Sequence, residues 1–82
     1  MSELGHDLHH EFSADHDALH ELKVDNPYFR ELAAKHHDLV QQIYRVESGL
    51  EAASDARLED LKKLRLSILD KIATLIAARK AT

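Results

Sequence analysis

The chain contains no cysteine. That absence excludes a disulfide framework, a thiolate zinc site and a thiol nucleophile. Two glycines and one proline in 82 residues leave little to interrupt long helices. Gly5 and Gly49 stand far apart, and neither belongs to a phosphate-cradling loop. No apolar run reaches the roughly 18 residues of a membrane span. Strict apolar–polar alternation bounded by turn residues, the mark of a strand, is missing too. The opening Met1-Ser2-Glu3-Leu4-Gly5-His6-Asp7 lacks the basic-then-apolar pattern of a secretion signal, so the expected compartment is cytoplasmic. Ser2, Ser13, Ser48 and Ser54 fall at ends or turns, and no serine lies in a nucleophile elbow. With no nucleophile, and no water-excluding pocket in a scaffold of two long helices, an enzyme is not expected.

What is present is charge, unevenly spread. The formal total is −4, made of −5 over residues 1–30, −3 over residues 31–56 and +4 over residues 57–82. A polarised chain can bind a charged partner. It can also fold so that acidic and basic helices neutralise each other, which the helix order below favours. The basic run Lys62-Lys63-Leu64-Arg65 could touch phosphates. The acidic total and the few aromatics (Phe12, Tyr28, Phe29, Tyr44) argue against nucleic acid. Membrane-surface binding by residues 64–80 is not expected either, because their apolar side chains are needed elsewhere.

Length makes this one helical domain over residues 1–82. Leu4, Leu8 and Phe12 are spaced four apart and line one face of a first short helix. Ser13 can cap a second, carrying Leu19 and Leu22, so that residues 1–24 form one or two short helices. Asp25-Asn26-Pro27 marks a boundary, with Asn26 as cap and Pro27 at the first helical position. A long helix over residues 27–50 then carries Phe29, Leu32, His36, Leu39, Ile43, Val46 and Leu50 at alternating steps of three and four, a sustained heptad. A second long helix over residues 56–79 repeats the pattern with Leu58, Leu61, Arg65, Ile68, Ile72, Leu75 and Arg79. Between them, either Gly49 ends the first helix in left-handed geometry, or the helix runs on and Ser54 caps the next.

Folding near residue 54 sets Val46 by Leu61, Ile43 by Arg65, Leu39 by Ile68, His36 by Ile72 and Leu32 by Leu75. The expected fold is all-α: an antiparallel, coiled-coil-like hairpin preceded by short helices. Its core is Phe29, Leu32, Leu39, Ile43, Val46, Leu61, Ile68, Ile72 and Leu75. One hairpin covers one stripe per helix, yet Leu64, Leu66, Leu69, Ala73 and Ile76, with Val40 and Tyr44, lie beside the stripes. Tyr44, Leu66, Leu69 and Ile76 are therefore candidates for contact between chains, and a homo-oligomer is expected, most simply a symmetric dimer.

His6-Asp7-Leu8, Glu11-Phe12, Leu22-Lys23, Asp25, Phe29, Leu32, Arg45-Val46-Glu47 and Leu61-Lys62-Lys63-Leu64-Arg65-Leu66 with Asp70 occur in this order. In that order and spacing they resemble the small bacterial YdcH-like family, a domain of unknown function. The resemblance implies a short helical protein without an established biochemical activity. The family usually has proline after the Glu-Phe pair, where Ser13 stands here. Arg65 occupies a heptad core position, where a charge needs a partner. Glu47 lies near the expected level of Arg65, and the two are a candidate pair fixing the hairpin's register. The alternative is that Arg65 runs its alkyl stem along the core to water.

Seven histidines are unusual for this length. His6 and His10, like His16 and His20, are four apart, which on a helix puts two imidazoles on one face. With His9, Asp7, Glu11 and Asp17 nearby, such pairs suit zinc, nickel or copper. The plainer reading is a solvated polar face. His36 interrupts an apolar stripe, either as a pH-sensitive group or as a satisfied core histidine, while His37 is expected to face solvent. The function that follows is an interaction or assembly protein that self-associates and docks a protein partner. The alternative is a metal-binding accessory protein using His6, His10, His16 and His20.

Overall fold

The structure, a computed structural model, describes residues 6–81, with side chains from Leu8 onward. The described residues form four helices and no strand: α1 (His6–Glu11), α2 (His16–Asp25), α3 (Pro27–Glu47) and α4 (Asp55–Lys80). The expected contribution of Leu4 lies outside the described residues. The fold is all-α, as the periodicity implies.

All but one of the helix boundaries described below have a local cause. α1 gives way to a turn closed by Phe12 N–H to the Leu8 carbonyl at 2.8 Å and Asp15 N–H to the Phe12 carbonyl at 2.9 Å. Asp15, not Ser13, precedes α2, and its side chain makes no capping bond. Its carboxylate instead accepts from the Lys80 ammonium at 2.7 Å, so a charged long-range partner replaces a local cap. Asn26 caps α3 as expected, its Oδ1 accepting from Phe29 N–H at 2.9 Å, with Pro27 opening the helix.

α3 stops at Glu47, three residues before the expected end. Gly49 takes a left-handed φ of +81°. Its N–H donates to the Val46 carbonyl at 3.2 Å, and Leu50 N–H donates to the Arg45 carbonyl at 2.9 Å. These two bonds are the Schellman arrangement, which satisfies the last carbonyls of a helix. Leu50 consequently leaves the heptad and lies exposed. Ser54 also acts, capping α4 by accepting from Arg57 N–H at 3.1 Å. The reversal therefore uses both candidate turn signals, one to end a helix and one to begin the next.

α3 and α4 form the main packed pair. Val46 and Leu61 line one groove near the turn, and Leu39 and Ile68 line another farther along. Rising number in one helix against falling number in the other makes the pair antiparallel, in the register set by the heptads. Phe29, Leu32, His36, Leu39, Ile43, Leu61, Ile68 and Ile72 are buried; Val46 and Leu75 are only half-buried. α1 and α2 add Leu8, Ala18, Leu19 and Leu22 to the same core. His37 is half-buried rather than exposed. It lies one turn from Ala33, on the α3 flank that faces Leu8 and Leu19.

Ile72 has no exposed surface. Ile72→Ala is expected to lower unfolding stability by about 3 kcal/mol, read as a lower urea midpoint with an unchanged slope. A Cβ at Gly49 would meet nothing within 4 Å. Gly49→Ala should therefore register only the left-handed backbone penalty, about 1 kcal/mol.

Candidate functional site

A hairpin has two open flanks, and the structure treats them differently. One is covered by α1 and α2. Leu8 and Leu19 meet Phe29 and Ala33 of α3 around a cavity of about 70 Å³, well below the roughly 300 Å³ of a small-molecule site. Phe12 sits beside Ala73, Ile76 and Ala77 of α4. Ile76 is 4% exposed and Leu69 is half-buried against the core. Both were expected to be free for contact between chains. Phe12 lies beside Ile76 instead, Ile76 belongs to the same core cluster as Leu8, Leu19 and Leu22, and Leu69 packs against that cluster.

Charge aligns this cover. The Arg65 guanidinium pairs with Glu11 of α1 at 2.7 Å. Lys80 takes Asp15, and Arg79 takes Glu21 at 3.4 Å and Asp25 through both of its terminal nitrogens, Nη1 to Oδ2 at 3.0 Å. The Glu47–Arg65 pair is thus not formed. Glu47 takes Lys62 at 2.9 Å, and α1 brings Glu11 to Arg65 first. These pairs are partly exposed, and such pairs contribute about 0.2–1 kcal/mol each. Burying one leucine contributes about 1.5–3 kcal/mol. Leu8, Leu19 and Leu22 therefore hold the cover down, and the ion pairs set where it sits. The hydrogen bond and nearby charge of Arg79 hold the Asp25 carboxyl below its ordinary value of 3.8, outweighing desolvation.

The other flank is open. Between α3 and α4 runs a groove lined by Lys35, Asp38, Leu39, Gln42, Leu64 and Ile68. Leu64 is 51% exposed, and the half-burial of Val46 and Leu75 follows from the missing cover on this side. Beyond the short helices, Tyr44 (62% exposed) and Leu66 (57% exposed) remain outside the core. Of the four residues expected between chains, the fold therefore leaves two available. Lys35 and Asp38 were missed by pattern reading, which follows apolar stripes. Their signal was a pair of opposite charges one turn apart beside the stripe.

His10, His16 and His20 are exposed, and the His6 side chain lies outside the described residues. The α1–α2 turn brings His9 to His16, their rings edge to face with centroids 4.7 Å apart and His16 Nε2 3.3 Å from the His9 carbonyl oxygen. Among the described residues no three histidine, aspartate or glutamate side chains gather as a metal ion needs. No helix among them is long and apolar enough to cross a membrane.

The family model described as protein of unknown function (DUF465) matches residues 29–76, more than half of the chain. The chain belongs to this family. The match covers the hairpin from Phe29 to Ile76 and leaves α1 and α2 outside. It agrees with the resemblance to the YdcH-like proteins, though the motifs quoted before Phe29 lie beyond the matched span. The description of the family names no activity. No curated protein and no solved structure matches the chain significantly.

A carboxyl with a depressed folded pKa contributes stability that is full above its unfolded value and is lost as pH falls through the folded value. For Asp25 that window opens below 3.8. Asp25→Asn is expected to melt below wild type near neutral pH. The two melting curves should converge as the buffer is acidified progressively below 3.8.

Proposed function

We propose that this chain is a non-enzymatic interaction and assembly protein. It self-associates through side chains that its own fold leaves uncovered, and offers the rest of that surface to a protein partner. The observation that carries this reading is the exposure of Tyr44, Leu64 and Leu66 after the short helices have been used. Single exposed apolar residues are ordinary. Here Leu64 edges a groove floored by Leu39 and Ile68 of the seam between two long helices, and apolar grooves of this kind are where helix-in-groove and helix-bundle contacts are built. Small size adds a second reason. A chain near 60–80 residues buries about 60% of its unfolded surface, and association supplies burial that the monomer lacks. The metal-binding alternative has no comparable support, since the described histidine side chains of α1 and α2 are exposed at three positions, His10, His16 and His20, and belong to no cluster of three metal-binding side chains among the described residues.

Light scattering on a sizing column across a range of concentrations tests the reading. The expected mass is at least that of two 9.3 kDa chains, falling on dilution. A mass of one chain at every concentration would remove self-association.

A further inference from the structure

We propose that the open groove floored by Leu39 and Ile68 is the docking site for a second copy of this chain. Lys35 and Asp38 of each copy pair with Asp38 and Lys35 of the other. This rests on the self-association reading and names the face that serves it.

The argument is one of charge. On the covered flank and at the turn, Glu11, Asp15, Glu21, Asp25, Glu47 and Glu51 all have a basic partner. On the open flank, Lys35 and Asp38 line the groove, are exposed, and enter none of these ion pairs. They lie three residues apart on α3, which is about 4.5 Å along the helix axis. A partner of one sign would match one of them and repel the other.

A second copy matches both. In a two-fold contact, if residue i touches residue j of the other chain, then j touches i. A two-fold axis lying between two α3 helices, perpendicular to them and level with the midpoint of residues 36 and 37, sets them antiparallel. Lys35 then faces Asp38 twice. The same axis sets Glu31 opposite Gln42. In the hairpin register Leu75 is level with Leu32, so the axis brings the half-buried Leu75 within two residues of the level of Leu39 in the other copy. The product is a four-helix bundle with the hairpin turns at opposite ends and α1–α2 on the outside.

The test is sedimentation equilibrium on the full chain with Lys35→Asp, Asp38→Lys and the double exchange. Both positions are exposed, so helical circular dichroism should be unchanged. Each single reversal places like charges together and should weaken the dimer at least about tenfold. The double exchange should return it to within about threefold of wild type. Single variants that associate like wild type would overturn the proposal, as would a double exchange as weak as the singles. If Leu66→Glu alone dissociates the assembly, the copies meet on the other flank: the groove proposal fails and self-association stands. A wild-type monomer at all concentrations removes both.

Discussion

Two helices packed side by side can hide only the stripe that each turns toward the other, and everything else in this structure follows from that limit. The α3–α4 seam takes Leu32, Leu39, Ile43, Leu61, Ile68 and Ile72 out of water. It leaves flanks that carry Ala33, Ile76 and Leu69 on one side, and Leu64 on the other. A flank of leucine and isoleucine is unfavourable in water, at about 25 cal/mol for each Å². The chain solves half of the problem internally, with Leu8, Leu19 and Leu22, and leaves the other half exposed.

The charge polarity of the sequence belongs to the same solution. Acidic α1 and α2 lie over basic α4, and Glu11, Asp15, Glu21 and Asp25 meet Arg65, Arg79 and Lys80. What reads along the chain as a surplus of one sign at each end becomes local neutrality in space. The groove side has no such cover. Its Lys35 and Asp38 are exposed and keep the balance of signs without a covering helix.

Much of the fold was legible in the residues. Asn26-Pro27 marked a helix start because a cap and a proline act within one turn. The paired heptads marked the hairpin and its register because side-chain spacing on a helix is rigid. His36 interrupted an apolar stripe and is buried there all the same, since its ring has the bulk that the seam requires. The turn was less legible. Gly49 and Ser54 both carried turn chemistry, and only the backbone shows that they act in succession.

The sequence by itself determined the helices, their order and the antiparallel seam, since these depend on spacing, caps and one left-handed glycine, all local in the chain. Only the tertiary structure decided the partner of each charge and the fate of each flanking leucine or isoleucine. Arg65 meets Glu11 rather than Glu47, and Ile76 is buried while Leu66 is not. Periodicity tells which residues share a face of one helix. It carries no information about which neighbouring helix arrives to cover that face, because arrival depends on packing between segments more than fifty residues apart.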